Sequence, residues 1–351
     1  MLRGAIIGFG NVAVHGHLPG WLARRDVAIV AAVDASPERR SELAARLPEA
    51  RWYDSTDALL AEETLDFVDI CTPPATHAGV IRSALQRGLH VLCEKPLVCR
   101  WEDLGELAGL AAEGHKALYT VHNWHHAPIV RFVRDLLRQE TIGGVTRCRW
   151  EVLRTKPAIT GDGRAGNWRL DPAMAGGGIL VDHGWHAFYV LHGWLGHAPT
   201  QVSASLETRR HTQYPLEDTA TVQLRFPNAT GEVFLTWAAN ERRTWAEVEG
   251  THGTIRVEDS AVVLSKNGPA ASERRWTFSP ALSEGSHHPD WFGGVAGEFV
   301  TGIADEAVRR NNLTEASLCV TLMTTAQESS RQGGAWLPIG DVHGACARQS
   351  G

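Results

Sequence analysis

The residues best suited to chemistry in this chain lie between Gly176 and His186. There Gly-Gly-Gly-Ile-Leu-Val-Asp-His-Gly-Trp-His carries one carboxylate, Asp182, and two imidazoles, His183 and His186. On a helix, the four-residue spacing of Asp182 and His186 puts them on one face, a turn apart, within reach of one substrate, with His183 directed elsewhere. Such a pair can orient a hydroxyl and move its proton, because an imidazole titrates near neutral pH without perturbation. Three consecutive glycines form helix poorly, so they let the backbone pass close to a ligand or a neighbouring strand before the helix starts. Taken alone, the segment also reads as a glycine loop followed by a helix whose polar residues are simply solvated.

The elements that must position these residues begin at the N-terminus. Gly4 to Ile7 is a short apolar run ending in Gly8-Phe9-Gly10-Asn11-Val12-Ala13, which matches Gly-x-Gly-x-x-Ala. A second apolar run, Val27 to Val33, ends at Asp34, about 20 residues beyond the glycines, where an acidic side chain can hold an adenosine ribose. Gly8 permits the tight turn, Gly10 lets a pyrophosphate approach the backbone, and the following helix offers unpaired N–H groups. Pro19 and two nearby glycines predict that this helix is short or kinked. Asp34 favours NAD and repels a 2'-phosphate, although Arg39 and Arg40 nearby leave NADP possible.

The alternation continues. Ser36-Pro37-Glu38 predicts a capped helix through about Leu47, and Ser55 caps another. Leu65 to Thr72 reads as a buried strand that breaks at Pro73-Pro74 into a helix reaching about Arg87. Leu89 to Cys93 forms the next strand, followed by Glu94-Lys95-Pro96. Strands separated by helices in this rhythm imply a doubly wound parallel sheet with ligands at the carboxyl ends of its strands. Thr72, Pro73, His77, Glu94 and Lys95 fall at such ends, where the Lys95 amine can be aimed over a cofactor. An ordinary surface lysine is the alternative.

Composition sets the remaining bounds. A chain of 351 residues exceeds what one core usually supports, so two domains are expected. A net charge of −6 offers no electrostatic footprint for nucleic acid, and a small or neutral partner fits better. Six cysteines without a Cys-x-x-Cys pair indicate neither a zinc site nor a disulfide framework, and so a reducing, cytoplasmic setting. No apolar stretch approaches a membrane span.

Together, Gly8 to Ala13, Cys71-Thr72-Pro73-Pro74-x-x-His77, Glu94-Lys95-Pro96-Leu97 and Gly176-Gly177-Gly178-x-Leu180-x-Asp182-x-Gly184-x-His186 resemble the glucose-fructose oxidoreductase/inositol dehydrogenase/rhizopine catabolism (Gfo/Idh/MocA) family over nearly the whole chain. The resemblance implies a Rossmann domain over 1–122 with a nicotinamide cofactor. It implies an α+β domain over 123–351 built on a large open, mostly antiparallel sheet, and a homodimer or homotetramer formed through that sheet. It also implies that Lys95, Asp182 and His186 are the catalytic set for interconverting a hydroxyl and a ketone on a sugar or cyclitol. The residues expected to hold cofactor are Gly8, Phe9, Gly10, Asn11, Val12, Asp34, Thr72, Pro73, His77, Glu94 and Lys95. Those expected to line the substrate pocket are Asn123, His125, Trp168, Arg169 and His183. The family's Asn-x-Arg-aromatic segment is replaced here by Asn123-Trp124-His125-His126, read as pocket or core histidines rather than a metal half-site.

In the second domain, Ala127 to Gln139 reads as an amphipathic helix and Val145 to Arg154 as a strand. Lys156 to Asp171 reads as a loop, from which Trp168 could stack on a sugar and Arg169 hold a hydroxyl. Five further strands between Val202 and Val257 read as an antiparallel meander that needs cover on both faces, and two helices, 292–306 and 315–333, return to the first domain. The resulting reading is an NAD-dependent polyol dehydrogenase with His186 as base in oxidation and Lys95 stabilising the alkoxide. These two roles could be exchanged, with a lysine of depressed pKa moving the proton. Two alternatives stay open: a dihydrodiol dehydrogenase or C=N/C=C reductase of the same family, and a non-catalytic dinucleotide-sensing regulator.

Overall fold

A computed structural model of the protein describes residues 1–158, 167–268 and 271–340. In the first half, strands β1 (Leu2–Ile7), β2 (Val27–Val33), β3 (Arg51–Tyr53), β4 (Phe67–Ile70), β5 (His90–Cys93) and β6 (Leu118–Thr120) form a parallel sheet in the order β3-β2-β1-β4-β5-β6. β4 and most of β1 and β5 are buried, as expected of strands covered by helices on both faces. The strand order reverses between β1 and β4, where an open α/β sheet leaves a crevice for ligand.

The helices of this half are α1 (Leu18–Leu22), α2 (Arg39–Arg46), α3 (Thr56–Glu62), α4 (Pro74–Gln86) and α5 (Trp101–Glu113). α1 is short, as Pro19 predicts, and is preceded by a π-helical turn over Ala13–His17. α2 starts later than expected. The Asp34 carboxylate accepts the Ser36 N–H at 2.8 Å, which commits Ser36 and Pro37 to a turn, so Ser36 does not cap the helix. Ser55 does cap α3, accepting the Ala58 N–H at 3.2 Å.

The second half adds α6 (Pro128–Arg138), β7 (Val145–Leu153), α7 (Pro172–Ala175) and α8 (Trp185–Leu195). Strands β8 (Gln201–Glu207) through β14 follow: β9 (Thr219–Arg225), β10 (Thr230–Thr236), β11 (Arg243–Gly250), β12 (Gly253–Glu258), β13 (Ala261–Lys266) and β14 (Ser272–Thr277). α9 (Pro289–Ala304), α10 (Glu306–Arg331) and the short β15 (Leu337–Pro338) end the described chain. The sheet order, β14-β13-β12-β11-β7-β10-β9-β8-β15, corrects the meander. β7, arriving from α6, inserts between β10 and β11 and runs parallel to β10. Pairing consecutive strands is the usual rule, and it fails here because an earlier strand takes the central position.

Register separates this sheet into two chemistries. Ala246, Trp150, Val233, Val222 and Ala204 lie side by side on one row, and all are buried. The alternate row is Glu247, Arg149, Glu232, Gln223 and Ser203, in which Arg149 donates to Glu232 at 3.2 Å and Gln223 to Glu232 at 2.9 Å. The outer face is mixed: beside this charged row the next one, Trp245, Glu151, Phe234 and Thr221, carries two half-buried aromatic rings.

α9 and α10 return to the first sheet. Phe292 and Phe299 pack on Trp21 at 5.5 and 6.3 Å, and Phe299 meets Phe67 and Tyr119 at 5.4 and 6.0 Å. From α10, Asn312 pairs with both backbone groups of Thr120 on edge strand β6, accepting at 2.7 Å and donating at 3.0 Å. No helix among the described residues is long and apolar enough to cross a membrane. The five described cysteines are free, and Cys346 lies outside the described residues.

The glycine run is fixed by close packing. A Cβ on Gly178 would lie 2.0 Å from the Glu217 carbonyl oxygen, and the Glu217 carboxylate accepts the Gly178 and Leu180 N–H groups at 2.8 and 3.2 Å. Gly178→Ala should therefore destabilise the fold by about 1–3 kcal/mol, the usual cost of overpacking. Urea unfolding checks this, and an unchanged midpoint would count against the contact.

Candidate active site

The carboxyl ends of β1, β2, β4 and β5 open into a cleft of about 1630 Å³ that runs on between the two halves of the molecule. That is more than the roughly 300–1,000 Å³ of a site for one small ligand and suits a dinucleotide beside a second molecule. Gly8 has φ +91, and a Cβ there would lie 2.8 Å from the backbone of Cys71 and Thr72, so only glycine makes this turn. Gly10 has nothing within 4 Å of its Cβ position, leaving its backbone approachable. Gly8, Gly10, Asn11, Val12, Asp34, Thr72, Pro73, Glu94 and Lys95 all line the cleft. Asn11 also accepts from Arg39 at 3.1 Å, while Arg39 donates to Glu42 at 2.7 Å.

Two of the residues expected to hold cofactor do other work. Phe9 is fully buried among Ile6, Val14 and Phe67, because the strand-to-helix turn directs its ring under the sheet. His77 is equally buried, with Nδ1 2.8 Å from the Pro96 carbonyl and Nε2 2.8 Å from the Thr72 carbonyl. It sits between two strand-end loops, and because burial pushes its pKa down, the neutral ring donates to one of these carbonyls and not to both. The Lys95–Pro96 peptide between them is cis.

Glu94 belongs to a buried charge network. His17 Nδ1 lies 3.0 Å from Asp69 and its Nε2 lies 3.0 Å from Glu94, while Trp21 donates to Asp69 at 2.7 Å. Burial alone would lower the His17 pKa. The Asp69 charge and hydrogen bond, with Cys71 beside them, outweigh it and raise the value well above normal. Both ring nitrogens of a protonated His17 can then donate to carboxylates.

Lys95, Asp182 and His186 converge opposite this network. The Lys95 ammonium donates to the Asp182 carbonyl at 2.6 Å and lies 3.6 Å from its carboxylate, to which Arg169 donates at 2.9 Å. A π-helical turn over Leu180–Gly184 replaces the expected regular helix. With this wider turn, His183 comes back beside Asp182, 3.5 Å from its carboxylate, rather than facing away. Burial alone would raise the Asp182 pKa, but the positive charge of His183 when protonated, Arg169 and Lys95 holds the carboxyl well below its usual range. Burial lowers Lys95 from the ordinary lysine value against the pull of Asp182. Burial, then Lys95 and His183, lower His186 well below an ordinary imidazole, and His183 is pushed down to about 3. Near neutral pH both imidazoles are uncharged.

The tautomer of His186 follows from its neighbour. The Tyr189 hydroxyl accepts the Trp124 N–H at 3.0 Å and lies 2.9 Å from His186 Nδ1, the acceptor the structure offers for its proton. Nδ1 thus accepts, and the proton of a neutral ring sits on Nε2. Trp124 stacks on the imidazole at 5.2 Å, fixing its plane.

Of the expected substrate residues, Asn123, Trp168, Arg169 and His183 line the cleft. Asn123 Oδ1 is buried without a partner, and Arg169 stacks over Trp168 at 4.5 Å. His125 does not line it. Its Nε2 lies 2.9 Å from Glu315 on α10, which also holds His122 at 2.7 Å, so this segment is spent on joining α10 to the first domain. Sequence reading missed Arg154, Trp237, Arg242, His287 and His288, which also line the cleft. Arg154 follows β7 and Trp237 follows β10, and the parallel pairing of these two strands, hidden from the sequence, is what brings them together.

His17→Gln should cost about 3–5 kcal/mol, because it leaves the buried Asp69 and Glu94 without their shared counter-charge. The raised folded pKa means that this stabilisation is complete below the unfolded value of about 6.5 and is lost as pH rises through the folded one. The gap between wild type and variant in denaturant unfolding should therefore narrow toward alkaline pH, and a gap that widened would refute the assignment.

Two family models match the chain: an oxidoreductase family NAD-binding Rossmann fold over residues 2–122, and the GFO/IDH/MocA C-terminal domain over 130–256. Oxidoreductase P35 of Formosa agariphila is 24% identical over 75% of this chain and 82% of its own. D-glucoside 3-dehydrogenase of Escherichia coli is 33% identical over 54% of each chain. An oxidoreductase from Agrobacterium radiobacter, solved with NAD+, L-tartaric acid and magnesium, superposes with a TM-score of 0.81 at 23% identity, covering 97% of this chain and 98% of that one. With both halves matched and the cradle in place, the chain belongs to the GFO/IDH/MocA family of NAD-binding oxidoreductases.

Proposed function

We propose that the protein interconverts a secondary hydroxyl and a ketone on a sugar, cyclitol or related polyol. The observation that carries the proposal is the placing of Lys95, at the end of β5, against Asp182 of the second domain, with His186 lining the same cleft. The dehydrogenase named for a D-glucoside 3-position among the relatives supports the sugar class.

The residues present fit the cofactor. The Gly8–Gly10 turn leaves open backbone where a pyrophosphate would sit, Asp34 stands at the end of β2 for a ribose, and the unpartnered Asn123 Oδ1 can accept from a carboxamide. Arg39 is engaged by Glu42 and Asn11, which weighs against a 2'-phosphate. When bound, the nicotinamide supplies the acceptor for hydride. The chain's own residues then handle the hydroxyl proton. Asp182, held anionic, orients Lys95. His186 offers Nε2–H to the reacting oxygen and so positions it, because Tyr189 occupies Nδ1. Lys95, with its lowered pKa, accepts the proton in oxidation and returns it in reduction. This exchanges the roles first expected of Lys95 and His186, and it is supported by the Tyr189 hydrogen bond. Assembly through the second sheet would set its mixed outer face, with Trp245 and Phe234 beside the Arg149–Glu232 row, against a copy of itself, and light scattering over a dilution series should show an oligomer.

The pH dependence separates the two assignments of the base. With Lys95 as base, kcat for polyol oxidation should climb from about pH 7 toward about pH 10, with an apparent pKa below the ordinary lysine value of about 10.4. With His186 as base, already neutral at pH 7, the profile would stay flat over that range. Lys95→Met should remove the rising limb and lower turnover by about 10² to 10⁴ while leaving NADH binding intact, measured by quenching of protein fluorescence.

A further inference from the structure

The protein carries a net charge of −6, but the substrate half of its cleft is positive. Lys95, Arg154, Lys156, Arg169 and Arg242 line it, and Asp182 is the carboxylate they share. Lys95 and Arg169 already neutralise Asp182 at 3.6 and 2.9 Å. The other three form no such pair: Asp182 and Asp259 offset the Arg154 charge only from a distance. Among the described residues, no carboxylate stands within ion-pair reach of Arg154, Lys156 or Arg242.

Arg154 is the most telling of them. It is 4% exposed, and its guanidinium donates only to uncharged acceptors: the Leu153 and Arg243 carbonyls at 2.8 and 3.1 Å and the Thr244 hydroxyl at 3.3 Å. Its Nε is buried without a partner. Arg242 donates to the Ser283 and Gly285 carbonyls at 2.5 and 2.6 Å, which holds the 283–285 loop against the cleft but leaves its charge unmatched. Burial, and then the nearby Arg242, push the Arg154 guanidinium down to about 10. A buried cation without a direct ion-pair partner is costly, and an anionic group on a ligand in the cleft would lower that cost. The cofactor's phosphates do not answer this need, because their cradle is the Gly8–Val12 turn of the first domain, whereas Arg154 follows β7 and Arg242 precedes β11 in the second.

We infer that the substrate is an anionic polyhydroxy compound, a sugar acid or a sugar phosphate, whose charged group is received by Arg154, Arg242 and Lys156 while its reacting hydroxyl lies at Lys95 and His186. The inference rests on the dehydrogenase reading of the same cleft. Arginine is suited to the task because its planar fork can meet two oxygens of a carboxylate or phosphate at once.

Matched series test it: a hexitol or aldose, the corresponding aldonate or uronate, and the corresponding 6-phosphate, each assayed with NAD+ for turnover and each titrated onto the NADH-loaded protein by fluorescence. One of the two anionic arms should exceed its neutral counterpart in affinity by about 10- to 100-fold, and which arm does so distinguishes carboxylate from phosphate. That preference should shrink with added salt. Arg242→Gln and Lys156→Met should each erode it by about tenfold, with NADH affinity as the control for folding. Neutral compounds binding as tightly as both anionic arms, or anionic compounds failing to bind at all, overturn the inference. Anionic compounds that bind with the stated preference but are never oxidised would leave the inference standing and sink the dehydrogenase reading instead.

Discussion

One contact joins the two halves of the chemistry. Lys95 follows strand β5 of the parallel sheet and Asp182 lies in a π-helical turn 87 residues later, and they meet through a 2.6 Å hydrogen bond to the Asp182 carbonyl. Everything around them serves to hold these two backbones in register. On one side, His77 is lodged between the carbonyls that flank the strand ends, 2.8 Å from each, and Glu94 is anchored by His17. On the other, Glu217 grips the glycine run that precedes Asp182, and Arg169 fixes the carboxylate. Shifting either backbone by an ångström would break the hydrogen bond between the Lys95 amine and the Asp182 carbonyl.

Much of this was legible in the sequence. The glycine turn, Asp34, the strand and helix rhythm and the positions of Lys95, Asp182 and His186 are local patterns with local physics, and the cleft collects most of them. What stayed hidden depends on pairings between distant segments. The insertion of β7 between β10 and β11 delivers Arg154 and Trp237 to the cleft, and nothing in either segment announces it. Phe9 and His77 sit inside motifs, but their side chains serve the core and the loops, because motif spacing fixes the backbone and not the direction of each residue. His125 sits in a stretch that reads as pocket lining, but Glu315, 190 positions away, holds it.

Burial distributes the protons in this cleft. It leaves His183 and His186 uncharged, lowers Lys95 and yields only to direct charge contact at Asp182 and His17. The outcome is a site where one carboxylate remains anionic, one amine is within reach of deprotonation, and one imidazole is committed to a single tautomer by a tyrosine hydroxyl. These three states result from the packing around the groups and not from the residue types alone.

The pairing of Asn312 with Thr120 bears on how the molecule is made. The free edge of the first sheet is closed by a side chain 192 positions downstream, and the aromatic cluster under that sheet is completed by Phe292 and Phe299. A ribosome therefore releases the whole first domain with an unpaired strand edge and with Trp21 and Phe67 still partly bare, long before their partners emerge. Such an intermediate invites strand addition by other chains and capture by chaperones. The first domain is first in order of synthesis, but it reaches its final packing only with the last helices, so the folding of the nucleotide cradle is governed by the far end of the polypeptide.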